Sequence, residues 1–292
     1  MNQWLLVDGN SLVTYLWFRG SGRFTSQQLW LYLAHLVDTY ELHRIAVAWD
    51  SAGKSKGLCR RRMLYDGYKR LRVVQPEWLQ ARNQVFAEVH ESLKLLPVRS
   101  GYLLGLEADD LVWCWSRQVE GLVVSSDKDL WQCVDRDGVR LWSPRDKQVV
   151  DHDSIKEIYG SVRAMMVQKA LIGDVSDCVL GVKGIGKARA QRLWLAHGNK
   201  LYEMLESNRS FGVDDRWFQA VVEQEEVFKR NWQLLKLGKL IKDEDRVLAE
   251  SLLHKKVKFN NDAARHHAAY MGWHEVIKKW PQMSSAFQQV CS

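Results

Sequence analysis

The sequence predicts an α/β fold built on a mostly parallel, doubly wound sheet. Short apolar runs typical of buried strands alternate with longer stretches of helical periodicity through roughly the first half of the chain. That alternation favours parallel pairing, with helices on the faces of the sheet. Several apolar runs end directly in an aspartate, and in such sheets ligands bind beyond the carboxyl ends of the strands.

The elements follow one another in a regular order. Strands are expected at residues 4–7, 45–49, 98–102, 122–125 and 139–142, because each run is short and apolar. Helices are expected at residues 27–40 and 78–96, and a third opens near Glu107. From residue 161 onward the strand signal fades, and helical periodicity with glycine breaks continues to the C-terminus.

Composition indicates a polyanionic partner and a reducing compartment. The 292 residues carry a net charge of +7, although acids are locally concentrated, so the rest of the surface is distinctly basic. The five cysteines are scattered and odd in number, which predicts reduced thiols. No apolar stretch approaches the roughly 20 residues of a membrane span. We therefore expect a cytoplasmic protein with no membrane contact, in the host cytoplasm if it is phage-encoded.

Nine carboxylates are placed where they can meet at one edge of the sheet. Acids gathered in one cleft repel one another, and a divalent cation relieves that repulsion. Oxygen ligands suit Mg²⁺ or Mn²⁺, whereas zinc calls for His and Cys. Any one of these acids could instead simply cap a helix; five such points in register with strand ends favour metal. The candidates are Asp8, Asp50, Glu107, Asp109, Asp110, Asp127, Asp129, Asp174 and Asp177.

A strongly basic segment follows the second predicted strand. Residues 54–72 contain eight Lys or Arg side chains against one acid, with Tyr65 and Tyr68 among them. Cationic and aromatic side chains together can hold a single-stranded phosphate backbone and stack on a base, so Tyr68 and Arg72 are candidate nucleic-acid contacts. A run of charge is also compatible with a plain solvated surface.

Residues 180–190 have the form of a helix-hairpin-helix. Glycines bare the backbone N–H groups, and a helix begins after Gly186, so its N-terminus can hold a phosphate without reading base sequence. A glycine-rich turn between two core helices is the alternative. The candidate phosphate contacts are Lys183, Gly184, Gly186, Lys187 and Arg189.

Together these motifs resemble the 5′-nuclease family, which includes flap endonucleases, the 5′-to-3′ exonuclease domain of bacterial DNA polymerase I and compact phage 5′-exonucleases. The likeness runs from Asp8 to about Gly198. Two positions depart from the family pattern: Cys178 stands where relatives often have Asn, and the proline common before the hairpin is missing. The matching motifs are Val-Asp-Gly-Asn at 7–10, Trp-Asp-Ser at 49–51, Gly-Tyr-Lys at 67–69, Glu-Ala-Asp-Asp at 107–110, Ser-Asp-Lys-Asp at 126–129, Gly-Asp-Val-Ser-Asp at 173–177 and Gly-Val-Lys-Gly-Ile-Gly-Lys at 181–187.

The resemblance implies a two-metal site with a cationic entrance. The first five acids would surround one Mg²⁺ or Mn²⁺, and the last four would surround or approach a second. Lys69 and Arg61 would reach over the metals to the scissile phosphate, and residues from about 51 to 96 would form a helical arch that threads a free 5′ strand. The hairpin would grip duplex DNA, and its backbone carbonyls would hold one K⁺.

The resemblance also implies an activity and a domain plan. The expected activity is structure-specific 5′-to-3′ exonuclease and flap endonuclease cleavage by a monomer, on DNA with 5′ ends or flaps and on RNA–DNA primer duplexes. A non-catalytic branched-DNA-binding protein and a metal-dependent ribonuclease are the alternatives. The expected domains are a nuclease core at 1–160, a helix-hairpin-helix region at 161–240 and C-terminal helices at 241–292 that pack on the core.

Overall fold

The apolar runs of the first half form one six-stranded sheet in the computed structural model, which describes residues 3–20, 24–51, 59–71, 75–207 and 211–291. The strand order is β3-β2-β1-β4-β5-β6, with every neighbouring pair parallel except the antiparallel pair at the β6 edge. The mostly parallel sheet predicted from the sequence is therefore confirmed. The strands are β1 (Trp4–Asp8), β2 (Arg44–Ala48), β3 (Val98–Gly101), β4 (Gly121–Val124), β5 (Val139–Ser143) and β6 (Gln148–Val150).

Helices cover both faces of this sheet and make up most of the second half. Two elements near the carboxyl ends of strands were not predicted: a helix that starts immediately after β1, and a 3₁₀ segment at Lys128–Asp135. The helices are α1 (Gly9–Arg19), α2 (Thr25–Thr39), α3 (Arg60–Leu64), α4 (Pro76–Leu93), α5 (Ala108–Ser116), α6 (His152–Tyr159), α7 (Val162–Ile172), α8 (Lys187–Ser207), α9 (Arg216–Glu223), α10 (Glu225–Leu235), α11 (Asp243–His254), α12 (Asn261–Tyr270), α13 (His274–Lys278) and α14 (Trp280–Val290).

The alternating side chains of the central strands serve two separate hydrophobic cores. Leu6 of β1 packs on one face with residues of α5, α7 and α10, whereas Leu5 packs on the other face with α1, α2 and the C-terminal helices. Trp273 and Phe287 belong to this second core, together with Trp30 of α2. The C-terminal helices therefore complete the covering of the sheet.

A small two-stranded ribbon interrupts the helical second half, where the sequence predicted helices alone. Its strands are β7 (Gly173–Asp174) and β8 (Val179–Leu180), paired antiparallel. Gly173 ends α7 with φ of 78°, and a Cβ there would meet the carbonyl oxygen of Val179 at 2.3 Å. Only glycine fits this corner, which turns the chain from α7 into the ribbon that carries Asp174 and Asp177.

The predicted arch segment is described at residues 51, 59–71 and 75–96, and its remaining residues, 52–58 and 72–74, lie outside the described residues. The described beginning of the segment is attached to the body of the protein. Arg60 of α3 pairs with Asp245 of α11 and donates to the carbonyl of Leu240 at 2.8 Å. The arch and the domain boundaries stay predictions. Within the described ranges, no helix is both long and apolar enough to cross a membrane.

Candidate metal centre

Five of the predicted ligands gather where β1 and β2 end and α5 begins; we name Asp8, Asp50, Glu107, Asp109 and Asp110 the sheet-edge group. Asp8 ends β1 and caps α1, because its carboxylate accepts the backbone N–H of Ser11 at 3.0 Å. Asp50 follows β2 and accepts the N–H of Ala108 at 2.9 Å, which ties the second strand to the first turn of α5. Parallel neighbouring strands thus bring both acids to one edge.

The first turn of α5 holds the other three acids of this group. Glu107 and Asp110 form a reciprocal capping box at the helix start. The Glu107 carboxylate accepts bonds from Lys69 Nζ at 2.7 Å and from the Tyr68 hydroxyl at 2.9 Å. Asp109 accepts the backbone N–H of Asp110 at 2.7 Å. Capping and charge pairing therefore fix the orientation of each carboxylate before any ligand binds.

Arg61 lies beneath these acids rather than above them, so its predicted reach to a phosphate does not fit the structure. Its side chain is only 4% exposed and donates to both carboxylate oxygens of Asp110, at 2.6 and 2.9 Å. Further bonds go to Glu107 at 3.2 Å and to the carbonyl of Leu234 at 3.0 Å. The guanidinium is therefore committed to holding Asp110 and Glu107 in place.

Tyr68 and Arg72 have different outcomes as predicted nucleic-acid contacts. The Tyr68 side chain is 2% exposed within the hydrophobic core, so its ring cannot stack on a base, and the sequence prediction is wrong. Its hydroxyl instead orients Glu107. Arg72 lies outside the described residues.

Lys69 stands at the entrance of the site, in a backbone conformation that needs support. Its φ is 54°, an uncommon value for a residue with a Cβ. The backbone N–H donates to the carbonyl of Asp177 at 2.8 Å, and the Lys69 ammonium lies 4.0 Å from the Asp177 carboxylate. This contact ties the basic segment to the ribbon of β7 and β8.

The other four predicted ligands come from the turn after β4 and from the ribbon; we name Asp127, Asp129, Asp174 and Asp177 the loop group. Asp127 is exposed and accepts the N–H of Asp129 at 2.9 Å as the 3₁₀ segment begins. Asp129, Asp174 and Asp177 each place one carboxylate oxygen within 4.8 Å of the others. Distant parts of the chain thus form a compact three-acid cluster.

Lys169 of α7 neutralises part of the loop group, and the sequence analysis missed it. Its ammonium pairs with Asp129 and lies 3.0 Å from the Asp174 carboxylate. Lys169 precedes Asp174 by five residues and sits in the last turn of α7. A lysine on the helix that leads directly into an acidic turn was the available signal, but only the fold shows where the side chain points.

Burial and neighbouring charge raise the pKa of some of these carboxylates and lower the pKa of others. Burial, with the charges of Asp50 and Asp127 adding to it, raises the pKa of Asp8 to about 7. Burial also raises the pKa of Asp129 to about 6, despite the opposing Lys169. At Glu107 and Asp174 burial is again the largest single influence and acts upward, but it is outweighed by the partners together. Lys69, Arg61 and Tyr68 at Glu107, and Lys169 and Ser176 at Asp174, lower each pKa to about 2.

Seven of the nine acids line one cavity of about 1430 Å³. The exceptions are Asp110, which is 1% exposed and bound to Arg61, and Asp177, which is buried behind Lys69. One hydroxyl links the two groups: Ser125 Oγ donates to Asp8 at 2.9 Å and accepts the N–H of Asp127 at 3.0 Å. The structure therefore brings the predicted ligands together into one continuous acidic surface.

These residues fit hard divalent cations. The donors on the cavity wall are carboxylate oxygens. Burial, with neighbouring acids adding to it, raises the pKa of Asp8 and Asp129, and a cation bound beside them would favour their ionised forms. Asp8, Asp50, Glu107 and Asp109 would hold one cation, and Asp127, Asp129, Asp174 and Asp177 a second. Lys69 and Lys169 are the cationic side chains that now balance part of this charge.

The predicted phosphate-binding hairpin lies on the surface between β8 and α8. Lys183, Gly184, Gly186, Lys187 and Arg189 are all exposed. A Cβ added at Gly186 would meet no atom within 4 Å, so that turn faces open space. Lys187 also lines the acidic cavity. The Arg189 guanidinium donates to the carbonyl of Gly184 at 2.6 Å and covers the Trp217 ring, so part of its charge supports the turn.

Comparison with known proteins shows which family has this architecture. Residues 3–160 match the family model for the 5′-3′ exonuclease N-terminal resolvase-like domain, which is more than half of the chain. The chain belongs to the 5′-3′ exonuclease family. The matched segment contains the whole sheet, all of the sheet-edge group and the first two members of the loop group.

Relatives of this exonuclease-family chain fall into two size classes. It is 30% identical over 229 residues to DNA polymerase I of Streptococcus pneumoniae, covering 70% of the chain and 25% of the relative. It is 27% identical to the 5′-3′ exonuclease of Mycoplasmopsis pulmonis, covering 70% of the chain and 71% of that protein. The chain spans only 15% to 26% of the DNA polymerase I relatives, and 71% of this exonuclease relative.

Solved structures extend the fold comparison to the C-terminal half. The T5 5′-exonuclease aligns with a TM-score of 0.70 at 20% identity, covering 87% of this exonuclease-family chain and 99% of the phage protein. Flap endonuclease-1 from Methanococcus jannaschii aligns with a TM-score of 0.57 at 13% identity, covering 99% and 93%. The likeness shows that the helical second half belongs to the same fold as the sheet.

Proposed function

We propose that the chain is a divalent-metal-dependent 5′-to-3′ exonuclease and flap endonuclease that hydrolyses DNA in replication or repair. The observation that carries the proposal is the convergence of seven family-motif carboxylates on one cavity. Membership of the 5′-3′ exonuclease family supports it. The T5 relative of this fold has been solved with bound divalent metal ions, and the T5 flap endonuclease in a complex with DNA and metal ions, which adds support for both ligands.

The side chains of this site have distinct parts in the reaction. Two Mg²⁺ ions bound by the carboxylates would lower the pKa of a water molecule and stabilise the charge that develops at the scissile phosphate. Lys69 lines the cavity with its ammonium at Glu107, and it would turn one N–H toward a phosphate oxygen. Arg61 and Tyr68, both buried, would keep Glu107 in position.

The hairpin lies close enough to hold the duplex beside the acids. Lys187 and Ala188, in the first turn of α8, line the same cavity as Asp174. A phosphate at the N-terminus of α8 would meet the helix dipole and the exposed ammonium groups of Lys183 and Lys187. Duplex held there would present its 5′ end or flap to the carboxylates.

Finer features of the function follow the family resemblance. We propose that RNA primers paired to DNA are also cut, that the chain acts as a monomer, and that backbone carbonyls at the hairpin hold one K⁺. An RNA-primed flap, sedimentation equilibrium, and duplex binding in KCl compared with LiCl test these three proposals separately.

The deciding experiment is cleavage of a 5′-labelled flap duplex titrated with Mg²⁺. Wild-type protein should release short 5′-labelled products only when Mg²⁺ is present, and the product lengths report the balance of exonuclease and endonuclease action. Asp109→Ala and Asp174→Ala should abolish cleavage, because each removes a ligand on the cavity wall, while flap binding in EDTA stays largely intact. Asp262→Ala, which removes an exposed acid of α12, is the matched control.

Two outcomes would contradict the proposed activity, and a third would contradict the assignment of the metal ligands. An absence of products over hours, with flap binding that EDTA does not change, would indicate a non-catalytic branched-DNA-binding protein. Faster cleavage of free single-stranded RNA than of the DNA flap would indicate a ribonuclease. Unchanged turnover in Asp109→Ala or Asp174→Ala would contradict the assignment of the metal ligands.

A further inference from the structure

A partly exposed aromatic cluster borders the acidic cavity. Phe18, at the end of α1, is 64% exposed and lines the cavity. The ring centroids of Phe18 and Trp78 of α4 are 6.4 Å apart with planes 24° from parallel, and Trp17 contacts both at 5.3 Å. Trp17 and Trp78 are half-buried, so Phe18 is the ring that the cluster opens to solvent beside the polar cleft.

Cationic side chains surround this cluster. Arg82 of α4 lies over the Trp78 ring at 5.9 Å and over the Phe86 ring at 4.4 Å. The positive charge of Arg82 also acts to lower the pKa of Asp50, although burial of Asp50 outweighs it. Arg19, next to Phe18, is exposed and lines the cavity. Flat rings flanked by guanidinium groups suit a strand that has both bases and phosphates.

The spacing between the cluster and the acids suits a short length of strand. Asp8 caps the start of α1 and Phe18 lies ten residues further along. A helix rises 1.5 Å per residue, so the two are separated by about 15 Å along its axis. A few nucleotides of an unpaired strand can cover that distance. One rigid helix therefore joins a metal-binding position to the aromatic rings.

We propose that Phe18, Trp17 and Trp78 form a stacking platform for a base of the unpaired 5′ strand, a few nucleotides from the scissile phosphate, with Arg19 and Arg82 contacting that strand's phosphates. The proposal rests on the proposed nuclease function for its position on the substrate. It assigns to α1 and α4 the aromatic contact that the sequence analysis gave to Tyr68. The platform is continuous with the cavity because Phe18 lines it.

The test measures binding in EDTA, where cleavage cannot interfere. The probes are a duplex with a single-stranded 5′ thymidine arm, the same duplex without an arm, and the same arm with abasic sites near the junction. Phe18→Ala and Trp78→Ala should weaken binding to the thymidine arm by roughly 5- to 150-fold, because one stacked base contributes about 1–3 kcal/mol. Binding to the blunt duplex should stay within twofold of wild type. Tyr270→Ala, which removes an aromatic side chain that is 88% exposed on α12, is the control and should bind all probes like wild type.

The abasic probe separates stacking from general damage. Wild-type protein should lose the same factor on the abasic arm as Phe18→Ala loses on the thymidine arm, and Phe18→Ala should not discriminate between the two arms. Phe18→Trp should restore the difference. Equal binding of both arms by wild type, or equal losses by Phe18→Ala on the blunt duplex and the arm, would overturn the platform. Cleavage of a flap in Mg²⁺ is scored separately, so an inactive protein with arm-selective binding refutes the nuclease proposal and leaves the platform standing.

Discussion

The sheet-edge group and the loop group face the same cavity, but they are held in place differently. In the sheet-edge group, Asp8 caps α1, Asp50 is tied to Ala108, and Asp110 is neutralised from below by buried Arg61. The loop group stands on a 3₁₀ segment and a ribbon of two-residue strands, and Lys169 of α7 pairs with two of its acids. The first group is therefore held mainly by capping and hydrogen bonds within the fold, whereas the second depends on the Lys169 ammonium, whose charge a bound cation could replace.

The comparison separates the acids that stabilise the fold from the acids that stay available to bind a cation. Arg61 and Asp110 neutralise each other's charge and support the start of α5, so neither side chain is available to bind substrate. At Asp8 and Asp129, burial and neighbouring acids raise the pKa, so the ionised side chains place negative charge on the cavity wall at a cost in free energy. Excess charge of this kind lowers stability and creates affinity for cations, which is the usual compromise of an active site.

The largest effect is expected for Asp8→Asn, which removes a charge and keeps the shape. Cleavage of a flap should fall by at least about 10³-fold, because a ligand that helps supply several kcal/mol of charge stabilisation is lost. Unfolding in EDTA, followed with urea, should show a free energy about 1–2 kcal/mol higher than wild type, because the buried and mutually repelling carboxylate is gone. A variant that is both inactive and less stable would contradict the excess charge assigned to Asp8.

The buried ion pair that supports the sheet-edge group can be tested by removing Arg61. Arg61→Met should lower the free energy of unfolding by about 3–5 kcal/mol, because Asp110 is left as an unpaired charge in the interior. Urea unfolding measures the loss, and the double variant Arg61→Met with Asp110→Leu should recover a large part of it. If Arg61→Met kept the stability of wild type but lost cleavage, Arg61 would instead act directly at the phosphate.

The loop group can be tested at Lys169. Lys169→Met should lower the free energy of unfolding in EDTA by about 1–2 kcal/mol, because partly buried Asp129 and Asp174 lose their counter-charge. Added Mg²⁺ should stabilise this variant more than it stabilises wild type, since the site has become more negative. Thermal unfolding with and without Mg²⁺ measures both effects. Lys94→Met, which removes an exposed ion pair in the turn after α4, is the control. If Mg²⁺ stabilised Lys169→Met no more than it stabilises wild type, Lys169 would not contribute to the charge of the metal site.

The smallest effect concerns the backbone of the ribbon. Cys178 follows Asp177 with φ of 58°, a left-handed conformation that Asn adopts more readily than Cys. Cys178→Asn should raise the free energy of unfolding by about 0.5–1 kcal/mol, a fraction of the cost of placing a Cβ in that conformation. Cys178→Ala should give no such gain at the same position. Equal stabilities for both variants would show that the loop group carries no strain there.

The strands and most long helices could be predicted because they depend on local pattern. Apolar runs such as residues 45–49 and 122–125 form strands within one residue of the expected bounds. Helix α1 was missed because its signal is the aspartate that ends β1, which is at once strand end, helix cap and predicted metal ligand. The ribbon of β7 and β8 was missed because two-residue strands leave no periodicity to detect.

The sequence by itself indicated the candidate side chains for binding metal and phosphate, because acids at strand ends and glycines before a helix are local chemical signals. It also determined the α/β alternation, since that depends on apolar spacing. Only the tertiary structure decided the direction of each side chain. Arg61 points into the core, Tyr68 turns to Glu107, and Lys169 reaches across to Asp129, because residues far apart in the chain supply their partners and local sequence contains no record of such distances.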